Sequence, residues 1–109
     1  MAGVGTTKVF ENDKIIVWEF VLDPGAETPL HTHEHDYVFY VLDGAPLQVT
    51  GAQGQDLGTL EATSGSVFAL EMDGTDLVSV DGRGHRVPAT HKARNVGNTR
   101  YREILVESK

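Results

Sequence analysis

The chain has 109 residues, of which Lys+Arg contribute 9, Asp+Glu 16 and His 5, for a formal net charge of −7. That length leaves room for one domain, expected over residues 1–109. A hydrophobic fraction of 39% with 23% charged residues fits a globular chain and excludes a disordered one. The acidic balance argues against nucleic acid as the main partner and against anionic membrane surfaces, because both need a basic face.

No cysteine is present, which excludes a disulfide framework, a thiolate metal site and a thiol nucleophile. Any metal must therefore be held by nitrogen and oxygen ligands. The opening stretch MAGVGTTKVFEND lacks the apolar core of an export leader, and no window approaches the ~20 apolar residues of a spanning helix. The expected compartment is the cytoplasm.

Short apolar segments rich in Val, Ile, Phe and Tyr alternate with glycine-bearing turns. In chain order the expected strands are Thr7–Phe10, Lys14–Leu22, Tyr37–Leu42, Leu47–Thr50 and Gly58–Glu61. Val67–Glu71, Asp76–Val80, His85–Pro88, His91–Asn95 and Tyr101–Glu107 follow. Asp23-Pro24-Gly25, Asp43-Gly44, Asp73-Gly74, Asp81-Gly82 and Gly97-Asn98 separate them. Asp-Gly favours positive φ and hence hairpins, and Gly51–Gln55 reads as an exposed hairpin tip. No stretch keeps a helical apolar period for three turns. The pattern is that of an all-β sandwich or barrel. Residues Ile15–Leu22 are apolar on both faces apart from Glu19, so the outer face needs a cover. Either a terminal segment or a second copy in a homodimer would supply it.

Four histidines sit where spacing carries information. In an extended chain His31 and His33 share a face, roughly 6–7 Å apart. His35 has the same parity and would replace one of them if the strand bends at Glu34; otherwise it is a rim residue, and Glu34 has the opposite parity. His91, far along the chain, is the leading third ligand for an ion bound at ~2.0–2.1 Å per nitrogen. His85 falls outside this pattern and reads as a surface or supporting residue.

The frame around these histidines is specific. Gly25 is followed by five residues, His31-Thr32-His33, three residues, Tyr37, six residues and Gly44. This resembles the first motif of the cupin superfamily, with tyrosine where that motif has glutamate. His91-Lys92-Ala93-Arg94-Asn95 is similar to the end of the second cupin motif. Upstream of it the match is poor: Arg86 stands where proline is expected and Pro88 where glycine is expected.

The resemblance implies a double-stranded β-helix (jelly-roll) barrel, with motif 1 at 25–44 and motif 2 ending at 91–95. It implies His31, His33 and His91 at the barrel mouth, holding a divalent transition metal (Fe, Mn, Ni or Zn), and a homodimer. Without the glutamate the site is simplest as three neutral imidazoles, which leave the metal charge uncompensated and positions open. Tyr37 either donates a hydrogen bond to a bound substrate as a catalytic residue, ligates as phenolate, or simply packs in the barrel. Phenolate ligation needs a fall from a pKa of ~10, and hydrogen bonding or packing is favoured over it. Arg86 and Arg94 read as solvated surface residues, and Asn95 as a support for the strand after His91.

The expected function is that of a metal-dependent enzyme, dioxygenase-like or an isomerase or lyase, acting on a small anionic or enolisable metabolite. The alternatives are a non-catalytic small-molecule-binding module and a barrel whose histidines are polar filler.

Overall fold

The computed structural model describes residues 5–109. Residues 1–4, the start of the stretch read as lacking an export leader, lie outside the described residues. Eleven strands run in order: β1 (Thr7–Glu11), β2 (Ile15–Leu22), β3 (His31–Thr32), β4 (Asp36–Asp43), β5 (Ala45–Gly51), β6 (Asp56–Ala62), β7 (Val67–Asp73), β8 (Asp76–Ser79), β9 (Arg86–Pro88), β10 (Thr90–Asn95) and β11 (Tyr101–Ser108). No helix occurs among the described residues, and none there is long and apolar enough to cross a membrane.

Two sheets face each other. One has seven strands in the order β1-β2-β11-β4-β7-β8-β9, and the other has four in the order β3-β10-β5-β6. Side-chain alternation assigns the faces. On β4, Tyr37, Phe39 and Val41 are buried while Val38 and Tyr40 are exposed. On β11, Tyr101, Glu103, Leu105 and Glu107 all point inward. The interior between the sheets is filled mainly by Phe20, Leu22, Leu47, Phe68, Leu77 and Tyr101.

The ten expected strands are all found, with ends displaced by a few residues. β3 was not expected, because a two-residue His-Thr strand carries no apolar alternation. The Asp73-Gly74 hairpin forms as expected, with Gly74 at φ 65°. Asp43-Gly44 and Gly97-Asn98 instead carry the chain from one sheet to the other. Gly44 adopts no positive φ. A Cβ there would lie 2.5 Å from the Ala62 carbonyl oxygen, so close approach requires the glycine. Gly25 is needed for the opposite reason, a left-handed φ of 82° in an open turn.

The cover over β2 is resolved in part. β1 pairs edge to edge with β2 and does not lie over its outer face. Val17 and Val21 therefore stay half-buried, and Val9 and Phe10 of β1 are 60% and 51% exposed.

Candidate metal centre

The three histidines arrive from two strands and one loop. His31 on β3 and His91 on β10 are register partners, directly opposite across an antiparallel pair. β3 ends at Thr32, but the His33 amide donates to the Ala89 carbonyl at 2.9 Å and keeps its residue beside β10. The rings converge, with centroids 5.0 Å apart for His31–His33, 4.9 Å for His31–His91 and 5.0 Å for His33–His91. One ligand atom from each lies within 4.8 Å of the others, and all three residues are buried. His35 is half-buried outside this cluster, and Glu34 is exposed.

The orientation of two rings is fixed from behind. His31 Nδ1 donates to the Pro29 carbonyl at 3.1 Å and His91 Nδ1 to the Pro88 carbonyl at 2.7 Å. A carbonyl only accepts, so both Nδ1 atoms carry hydrogen and both Nε2 lone pairs are left free. Backbone carbonyls holding Nδ1–H in this way are the usual support of metal-ligating histidine. His33 Nδ1 is buried with no hydrogen-bond partner, alone among the side-chain atoms of the described residues. Burial, then repulsion from His91, lowers His31 to about 4 against the opposing Pro29 carbonyl, and burial, then repulsion from His91 and His31, lowers His33 to about 2. His91 is lowered by burial against a smaller opposing effect of the Pro88 carbonyl. Neutral imidazoles are the form that binds a metal. The donor set therefore fits the divalent metal that this barrel type implies.

Tyr37 stacks on the His33 ring at 4.3 Å and 17°. Its ring continues toward Phe39, which stacks on Phe68. Burial first, then the nearby Glu103 and Glu107, raises the Tyr37 phenol well above its ordinary value. That opposes phenolate ligation and keeps the hydroxyl a hydrogen-bond donor.

The histidines open onto a cavity of about 400 Å³ between the sheets. That volume suits a small metabolite. Its wall is mostly apolar, with Phe20, Phe39, Leu47, Phe68 and Leu105 among the lining residues. His85 is exposed and stands in the lining, next to Gly84 and Arg86. The Arg86 guanidinium is drawn to Asp73 at 2.8 Å and Asp76 at 3.0 Å. Arg94 is exposed, so both arginines are surface residues as expected.

Sequence reading missed Glu103. It is the one carboxyl in the lining and is 4% exposed. The Tyr101 hydroxyl donates to its Oε1 at 2.5 Å. Parity puts it on the same face of β11 as Tyr101 and Leu105, and the fold makes that face the inner one. Asn95 supports the end of β10 as expected, donating from Nδ2 to the Leu22 carbonyl at 3.0 Å and the Thr99 carbonyl at 2.8 Å. It also accepts the Gly97 amide at 2.9 Å.

No protein-family model matches the chain, and no curated protein does. Solved structures do. A cupin domain from Bordetella pertussis Tohama I is 24% identical at a TM-score of 0.68, covering 94% of this chain and 90% of its own. A protein with a double-stranded β-helix domain from Klebsiella pneumoniae is 16% identical at a TM-score of 0.59, covering 99% and 80%. The polyketide cyclase RemF from Streptomyces resistomycificus is 19% identical at a TM-score of 0.54, covering 93% of this chain and 61% of its own. These likenesses are of fold, and they agree with the strand order described above: the chain has the cupin fold, a double-stranded β-helix barrel.

Proposed function

We propose that this chain is a metal-dependent enzyme that holds one divalent transition metal (Fe, Mn, Ni or Zn) through His31, His33 and His91. Its substrate is a small anionic or enolisable metabolite in the barrel cavity. The observation that carries the proposal is the convergence of three buried imidazoles, two with Nδ1–H taken by carbonyls, on the wall of a largely apolar cavity. When bound, such a metal supplies a Lewis-acidic centre with open positions for a chelating substrate, and redox chemistry if it is iron or manganese.

The chain's own residues do the rest. Pro29 and Pro88 carbonyls hold two imidazoles in the ligating tautomer. Phe39 and Phe68 give the cavity an apolar wall, which strengthens polar contacts made against it. Tyr37 is the catalytic residue of this proposal. Fixed against His33, its hydroxyl donates a hydrogen bond to a substrate oxygen.

The largely apolar wall favours a second reading, a non-catalytic module that binds a small ligand beside a structural metal. Turnover assays separate the two. The metal-loaded chain, the chelator-treated chain and a His91→Ala variant are offered diketones and short carboxylates, with and without oxygen. Conversion by the loaded chain alone supports the enzyme, and ligand binding without conversion supports the module.

A homodimer belongs to the same proposal. On the outer face of the larger sheet, Val17, Val106, Val38 and Ala69 fall in one cross-strand row. Ile104, Tyr40 and Val67 fall in the next. Tyr40 and Val67 are each 47% exposed. A second copy of this face would cover the rows and supply the cover that the two-sided apolarity of β2 calls for. The cytoplasm is the proposed compartment, tested by fractionation of the expressing cell.

A further inference from the structure

Glu103 is a buried carboxyl without a cation. It lines the cavity, is 4% exposed and among the described residues takes part in no ion pair. Among the described residues its hydrogen-bond partner is the Tyr101 hydroxyl, which donates to Oε1 and is itself fully buried. Oε2 has no hydrogen-bond partner among the described residues, and Glu103 lines the cavity. The single arginine in the lining, which holds no lysine, is Arg86, and it is turned outward onto Asp73 and Asp76. An ionised carboxylate buried alone is costly, and two things relieve it: a proton or a cation brought by a ligand.

We propose that Glu103, held by Tyr101, is a second binding pole of the cavity, and that it selects ligands bearing an amine or other basic nitrogen. This rests on the reading that the cavity takes a small molecule, and it names that molecule's chemistry. The ligand carries oxygen donors at the imidazole end, an apolar body along Phe39 and Phe68, and a basic nitrogen at Glu103. In the empty cavity the carboxyl holds a proton, and burial, which raises its pKa to about 8 against the weaker opposing effect of Tyr101, keeps it there. As an ammonium group enters, that proton leaves to solvent and the carboxylate pairs with the cation. The Tyr101 hydroxyl continues to donate to Oε1 in both states. An anionic group at this pole meets the Glu103 carboxyl, with no lysine or arginine turned toward it to pair with its charge.

The test uses three probes of one shape and different charge: benzylamine, benzyl alcohol and benzoate. Each is titrated into the full chain and followed by backbone amide chemical shifts. A chelator is present so that no metal competes for the amine nitrogen. The expected result is benzylamine binding at least tenfold more tightly than benzyl alcohol, with benzoate weakest. Glu103→Gln should bring benzylamine and benzyl alcohol to within about twofold, while Glu103→Asp, which keeps a carboxyl, should retain the preference. A wild-type preference of one or less overturns the proposal, however the variants fold. A preference that survives Glu103→Gln overturns it too. If benzyl alcohol binds and benzylamine binds no better, the amine pole is wrong and the small-molecule cavity stands. If none of the three binds, both fall.

Discussion

Replacing Glu103 by glutamine should change how stability depends on pH. Burial raises this carboxyl from an ordinary 4.5 to about 8 in the folded chain, against the opposing effect of its Tyr101 hydrogen bond. The folded pKa therefore lies above the unfolded one. The group's contribution is fully present below pH 4.5 and is lost as pH rises through 8. At about 1.4 kcal/mol per pKa unit, the loss is on the order of 5 kcal/mol over the whole window and about 2–3 kcal/mol between pH 5 and 7. That is a large part of the 5–15 kcal/mol typical of a small domain. Tyr101 and Tyr37, the phenols facing Glu103, are both raised and stay protonated throughout. The buried histidines titrate with the opposite sign but do so in both proteins, so they cancel in the comparison. Urea unfolding of metal-free wild type and Glu103→Gln at pH 5, 6, 7 and 8 measures the difference. The variant should gain on wild type as pH rises, by a midpoint shift of about 1–2 M urea between pH 5 and 7 at ordinary slopes. Curves that stay parallel within about 0.5 kcal/mol would refute a carboxyl buried in its neutral form.

Three further outcomes follow from the same structure. Asn95→Ala removes both donors and the acceptor that tie Leu22, Thr99 and Gly97 together, and should cost about 2–4 kcal/mol in chemical unfolding; a cost near zero would show that water replaces all three bonds. Tyr40→Glu places a charge in the outer apolar rows, so light scattering should find wild type as a dimer and the variant as a monomer; equal masses would contradict the proposed interface. Tyr37→Phe keeps the stacking on His33 and removes only the hydroxyl, so bound metal should be unchanged while turnover falls by roughly 10–100-fold; loss of metal would mean instead that the phenol ligates.

Much of the fold was legible because β-strands announce themselves by alternation and by the glycines between them. The unexpected element was β3, whose two residues have no apolar pattern and are held by pairing with β10. Gly44, in an Asp-Gly pair, signals positive φ, and Gly97 signals only a turn. There glycine serves close approach, to Ala62 at one and to the Pro46 ring at the other, and close approach leaves no mark in sequence. The histidine site was legible from spacing in the cupin-like frame, since residues two apart share a face. The role of His91 depends on a long-range register that only the fold supplies. Glu103 was harder for a physical reason. Tyr101–Ser108 is apolar on both faces, with Ile104 and Val106 on one and Tyr101 and Leu105 on the other. The alternation alone does not say which face is inside, and a glutamate is ordinarily assigned to solvent.

The most direct test is metal analysis of chain purified without added metal, beside the His91→Ala variant. Three imidazoles meeting at one point predict close to one equivalent of a divalent transition metal per wild-type chain and little in the variant. A wild-type chain that takes up no such metal even when it is supplied in excess, or a variant that holds as much as wild type, would contradict the account.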